Sequence, residues 1–228
     1  MSTIADNVST VSARIRAAAQ AADRDATAIG LLAVSKTKPA AAIREAYAAG
    51  VRNFGENYLQ EALGKQAELT DLPLCWHFIG PIQSNKTRAI AEHFDWVHSV
   101  DRLKISQRLS EQRPEELAPL NICLQVNVSG EASKSGCAPG ELEALAVAVA
   151  QLPRLRLRGL MAIPEPTDDV CAQHEAFARV EQLQQHLKLP LDTLSMGMSH
   201  DLEAAVAQGA TWVRIGTALF GARDYGQA

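Results

Sequence analysis

The chain has 228 residues, 22 basic and 26 acidic side chains for a formal charge of −4, and 47% hydrophobic residues. This leaves room for one sizeable core or at most two small domains, in an ordinary soluble composition. The mild acidity argues against a protein that grips a nucleic-acid backbone. The longest purely apolar run in an expected helix, Ala144–Ala150, is too short to cross a bilayer, so no membrane partner is expected. The first residues, MSTIADNVSTVSARIRAAAQ, lack the basic start and apolar stretch of a secretory signal. They read as an amphipathic helix, about residues 3–22, with Ile4, Val8, Val11 and Ile15 on one side. Cys75, Cys123, Cys137 and Cys171 form no C-x-x-C pair and no zinc-spaced cluster. Free thiols, a cytoplasmic location and no structural metal are the expectation.

After the first helix, short β-rich apolar runs recur along the chain. They are GLLAVSK (30–36), VRNFGE (51–56), CWHFIG (75–80), FDWVHSV (94–100), NICLQVNV (121–128), LRLRGLMAI (155–163), LDTLSMGM (191–198) and TWVRIGT (211–217). Helical stretches such as AAAIREAYAAG, ELEALAVAVAQL and HEAFARVEQLQQHL lie between them. Several of the strands are apolar on both faces, as parallel strands covered by helices are. Eight β-then-helix units in alternation predict an α/β fold, a closed (β/α)8 barrel spanning about residues 29–225, with a doubly wound open sheet as the rival. No linker divides it, so residues 1–228 read as a single domain.

In such a barrel, chemistry collects at the C-terminal strand ends and the loops that follow them. The first strand closes on Lys36, which shares a face with Leu32 and Val34. Partial burial would lower the lysine pKa and free a nucleophilic amine, while a pair of surface lysines, Lys36 and Lys38, is the plainer alternative. Gly55 and Gly80 allow the backbone to approach a ligand closely. His77, inside CWHFIG, reads more readily as a hydrogen-bonded core histidine than as a base. In the eighth strand Arg214 lies between Val213 and Ile215 and must point opposite to both. If those two face the helices, Arg214 faces the barrel interior and needs a ligand or a structural carboxylate. Gly216 and Thr217 follow at once. The seventh strand runs into Gly197, Met198 and Ser199 and then a helix over His200–Gln208, a setting suited to an anion. Asp201 and Glu203 would repel a phosphate there unless they point away. A lysine at strand one, an arginine at strand eight and a phosphate cradle after strands seven and eight together suit pyridoxal 5′-phosphate (PLP), an aldehyde-bearing phosphate ester.

The stretches AVSKTKP, FGENY, HFIGPIQSNK, RLRGLMAI, SMGMSHDLEAAVAQGAT and VRIGTALFGARDY resemble those of the pyridoxal phosphate homeostasis proteins, the YggS/PROSC family, over about residues 4–225. The resemblance implies a TIM barrel of the alanine racemase type, the fold type III PLP-binding architecture, standing alone with an extra N-terminal helix. It implies that Lys36 carries PLP as a reversible Schiff base (an internal aldimine). It further implies that Arg214 faces the pyridine nitrogen, that Ser199, Gly216 and Thr217 hold the phosphate, and that Asn57, His77 and Met161 line the ring. The function implied is intracellular PLP (vitamin B6) homeostasis without established turnover, by a cytoplasmic monomer whose partners are PLP and PLP-dependent apo-enzymes. The alternative is a PLP-dependent amino-acid racemase. Against it, racemisation needs an acid/base on each face of the substrate carbon, and the charged Arg214 would weaken the ring as an electron sink.

Overall fold

The computed structural model describes residues 2–130 and 135–221. The end of the expected barrel span and of the last motif, residues 222–225, lies outside them. Helix α1 (Ile4–Ala21) starts at a reciprocal cap: the Thr3 hydroxyl accepts the Asp6 N–H, and the Asp6 carboxylate accepts the Thr3 N–H. It buries Val8, Val11 and Ile15, the face that the sequence spacing marks.

Eight parallel strands then close on themselves in sequence order. They are β1 (Gly30–Val34), β2 (Asn53–Glu56), β3 (Cys75–Phe78), β4 (Trp96–Val100), β5 (Leu120–Gln125), β6 (Leu155–Met161), β7 (Thr193–Ser195) and β8 (Trp212–Ile215). Each is followed by a helix: α2 (Ala40–Ala48), α3 (Leu59–Glu68), α4 (Thr87–His93), α5 (Leu103–Gln112), α6 (Leu142–Ala150), α7 (Val170–His186), α8 (Leu202–Ala207) and α9 (Thr217–Phe220). The closing seam pairs β1 with β8, Leu32 against Arg214 and Ala33 against Ile215. The open-sheet rival is thereby excluded.

Alternation along the strands sorts two compartments. Outward-facing Ala33, Phe54, Phe78, Val97, Ile122, Leu124, Leu160, Val213 and Ile215 pack with the helices into one large apolar core. The opposite parity fills the barrel itself with a different chemistry, including Asn53, His77, His98, Ser195 and Arg214 around a small cluster of Trp96, Cys123 and Met161. Gly30 is required by this interior, because a Cβ there would sit 2.2 Å from Cζ3 of Trp212. The apolar shell holds the barrel together, and the polar interior supports what stands at its mouth.

Strand ends fall short of the apolar runs at two functional places. β1 stops at Val34, and Thr37 adopts φ 63°, a left-handed turn just past Lys36. β7 stops at Ser195, and Gly197, at φ 93°, turns the chain into the loop carrying Met198 and Ser199.

Candidate functional site

A cavity of about 260 Å³ opens at the C-terminal end of the barrel. Lys36, Asn57, Ser199, Arg214, Gly216 and Thr217 line it, together with Val34, Ile79, Ile163, Met198 and His200. Six of the eight residues expected from sequence are therefore gathered around one space. Lys36 reaches it because its position continues the inward parity of Leu32 and Val34 beyond the strand end.

Arg214 enters from below. Only 5% of it is exposed, and two of its N–H groups donate to neutral acceptors, the Ser195 hydroxyl at 2.9 Å and the Ala162 carbonyl at 2.8 Å. No carboxylate forms an ion pair with it among the described residues, so the structural salt-bridge alternative does not apply there. Burial lowers its pKa to about 10, with Asp201 opposing the shift, and the guanidinium stays charged at neutral pH.

Beneath Arg214 runs a hydrogen-bond chain whose direction follows from donor inventory. Arginine can only donate and the Asn53 amide oxygen can only accept; with His77 Nε2 donating to that oxygen and both imidazoles neutral, the Ser195 hydroxyl accepts from Arg214 and donates onward to His98 Nδ1 at 2.7 Å. His98 Nε2 then donates to His77 Nδ1 at 2.9 Å. His77 Nε2 donates to the Asn53 side-chain oxygen at 3.1 Å. Both imidazoles are neutral in this arrangement. Burial pushes His77 down to about 3 and His98 well below the ordinary histidine value, the latter helped by neighbouring His77 and Arg214.

The phosphate-cradle expectation turns on the acidic side chains near Ser199. Glu203 points outward and pairs with Arg14 of α1 at 2.9 Å. Arg14 also donates to the Ser199 carbonyl at 3.2 Å, tying the loop to the N-terminal helix. The Asp201 carboxylate folds back to accept the Met198 N–H at 2.6 Å. The helix that follows is shorter than expected, beginning only at Leu202. Neither carboxylate lines the cavity.

A family model for the N-terminal domain of alanine racemase matches residues 7–224. The chain is 79% identical to the pyridoxal phosphate homeostasis protein of Pseudomonas aeruginosa, over 99% of this chain and 98% of that one. It is 55% identical to the protein of that name in Escherichia coli, over 99% of each. The chain belongs to the pyridoxal phosphate homeostasis protein family. Among solved structures, PipY of Synechococcus elongatus with PLP bound superimposes with a TM-score of 0.84 at 44% identity, covering 96% of this chain and all of that one. An alanine racemase from Streptomyces lavendulae, at 19% identity and a TM-score of 0.70, shares the barrel fold.

Within this homeostasis-family barrel, two expected ring-lining residues stand elsewhere. His77 lies in the interior chain beneath Arg214, stacked on Trp96 with ring centroids 5.5 Å apart; it is the hydrogen-bonded core histidine that the residue reading favours. Met161 is buried with Trp96 and Cys123. Neither belongs to the cavity lining. Gly80 serves the chain itself, since a Cβ there would lie 2.2 Å from the Asn57 carbonyl oxygen. A Cβ at Gly55 would crowd the Ile79 and Leu32 side chains. Sequence reasoning passed over Ser195 and His98, whose inward parity within TLSMGM and FDWVHSV is the signal for them. It also left out the apolar walls Ile79 and Ile163, which look like any other strand-end residues, and named Met198 only as part of the anion-suited loop.

The residues present fit PLP. Apolar walls suit a flat aromatic ring, the hydroxyls of Ser199 and Thr217 suit a phosphate, and a buried cation held only by neutral groups suits a ring nitrogen with a lone pair. The Asn57 side-chain oxygen is buried with no hydrogen-bond partner among the described residues, so it is left to accept from a ligand.

Proposed function

We propose that this chain binds pyridoxal 5′-phosphate in the cavity at the barrel mouth and holds it as a reversible covalent store serving vitamin B6 homeostasis. The observation that carries the reading is the charged Arg214 buried on neutral acceptors in the same cavity as Lys36, Ser199 and Thr217. The P. aeruginosa and E. coli relatives bear the name of PLP homeostasis proteins, and PipY was solved with PLP bound, which supports it. When bound, PLP would supply an aldehyde within reach of the Lys36 amine, the one lysine among the described residues that line the cavity.

This chain's own residues do the rest. Ser199 and Thr217 hydroxyls and the backbone at Gly216 bind the phosphate. Arg214 orients the ring through its nitrogen and, by remaining charged, keeps a proton off it, which withholds the electron-sink chemistry that turnover needs. Asn57 lines the cavity from just past the end of β2. The same reading assigns a holding and delivering role without catalysis, PLP-dependent apo-enzymes as recipients, and a cytoplasmic monomer. No described helix is long and apolar enough to cross a membrane.

The test mixes PLP-loaded protein with an apo-transaminase and, separately, with alanine, serine and lysine. Recovery of transaminase activity with no sustained product from the amino acids is expected. Multiple turnovers on any of the three, racemisation included, or a failure to reactivate the transaminase, overturns the reading.

A further inference from the structure

Directly behind Lys36, between β1, β2 and α3, lies a buried charged cluster that does not touch the cavity. Lys65 of α3 is 5% exposed, and Glu56 and Ser35 are fully buried. The Lys65 ammonium has three hydrogens and three acceptors: the Ser35 carbonyl at 2.7 Å, Glu56 Oε1 at 2.8 Å and Glu61 Oε1 at 2.5 Å. The Ser35 hydroxyl donates to the same Glu56 oxygen at 2.6 Å. Glu61 Oε1 accepts the Thr37 N–H at 2.6 Å.

Those contacts have a specific target. The Ser35 carbonyl belongs to the peptide group before Lys36, and the Thr37 N–H belongs to the one after it. Both peptide units that set the direction of the Lys36 side chain are thus tied to one ammonium. Thr37, a β-branched residue at φ 63°, holds an uncommon backbone conformation that surrounding structure must impose. The cluster is a poor stability device. Buried ion pairs are often matched by apolar residues of equal volume, and Glu56 Oε2 is buried with no partner among the described residues. Fixing one geometry is the role such groups serve best.

We propose that Lys65, acting through Glu56 and Glu61, is the positioning residue for Lys36, holding its backbone so that the amine meets the PLP aldehyde. This rests on the reading of Lys36 as the PLP-bearing residue.

The experiment compares wild type with Lys65→Met, Glu61→Ala and Glu61→Gln. Each protein is loaded with PLP and followed for PLP release, then reduced with borohydride so that the labelled lysine can be mapped, and PLP-free samples are melted. Lys65→Met should release PLP about tenfold faster or more, as expected for a misplaced reacting group, with label lost from Lys36. Glu61→Gln keeps an acceptor for the Thr37 N–H and should stay near wild type, while Glu61→Ala should resemble Lys65→Met; a difference in melting alone would not produce that split. If Lys65→Met fails to fold, the Glu61 pair decides. Equal release by Glu61→Ala and Glu61→Gln, or a folded Lys65→Met that keeps PLP and label on Lys36 as wild type does, overturns the proposal. Label absent from Lys36 in wild type would instead show that the underlying reading had failed.

Discussion

Ser199, in the loop after β7, and Thr217, at the start of α9, line one cavity, and the proposed function gives each hydroxyl a hydrogen bond to a charged phosphate. Such a bond contributes about 1.5–3 kcal/mol, so Ser199→Ala with Thr217→Val should speed PLP loss by at least about tenfold per hydroxyl, read by dilution and absorbance. Unchanged release from the double variant would place the phosphate elsewhere. Thiol reactivity is a second residue-scale test. Burial raises Cys75 and Cys123 to about 12 and Cys137 to about 11, whereas Cys171 is exposed on α7. Alkylation at pH 8 should label Cys171 rapidly and the other three only on unfolding, because the thiolate is the nucleophile. Rapid labelling of Cys123 would contradict the packed interior. Lys36 and Arg214 stood out in the sequence because each is a charged residue at an inward parity position of an apolar run, Arg214 within β8 and Lys36 just past the end of β1. His77 was ambiguous for the same reason: parity turns it inward but gives no depth along the barrel axis, and depth separates a residue lining the cavity from one beneath it.

Helix α1 is the element that a bare barrel would not need. Its Arg14 holds both Glu203 and the Ser199 carbonyl, and its Asn7 donates to the Leu219 carbonyl of α9 at 2.8 Å. It therefore braces the loops after both β7 and β8. Arg14 is partly exposed, so Arg14→Ala should lower stability by no more than about 1 kcal/mol, yet it should accelerate PLP release severalfold by loosening the Ser199 loop. A melt and a release assay on the same samples check this, and a lowered melting temperature with unchanged release would assign α1 to packing alone. The existence of all eight strands and of α1 could be read from the sequence, since apolar runs and helical periodicity are dictated by burial. Where β1 and β7 end and where α8 begins could not. Those limits are set by left-handed backbone at Thr37 and Gly197 and by Asp201 accepting the Met198 N–H, local turns that apolar periodicity does not report.

At the scale of the whole molecule, the neutral histidines make the barrel sensitive to acid. His77 titrates near 3 when folded, against an ordinary value of 6.5, so between those values the unfolded chain binds the extra proton. The stabilising contribution of the neutral imidazole is fully present above pH 6.5 and is lost progressively as the pH drops toward 3. His98 shifts in the same direction. Melting of PLP-free protein between pH 7.5 and 4.5 should show this decline, and His77→Gln should flatten it; a pH-independent melting temperature would contradict the interior chain. Large exposed apolar side chains among the described residues, such as Tyr58, Leu103, Val147 and Val170, are spread over α3, α5, α6 and α7 and their approaches, in keeping with the proposed monomer. Light scattering should return a single-chain mass at every concentration, and a persistent dimer would count against it.

The central claim is that Lys36 holds the cofactor. Borohydride reduction of PLP-loaded protein, followed by peptide mapping, should place one stoichiometric pyridoxyl group on Lys36. A stoichiometric adduct on Lys38 or any other lysine, with Lys36 unlabelled, would contradict the account.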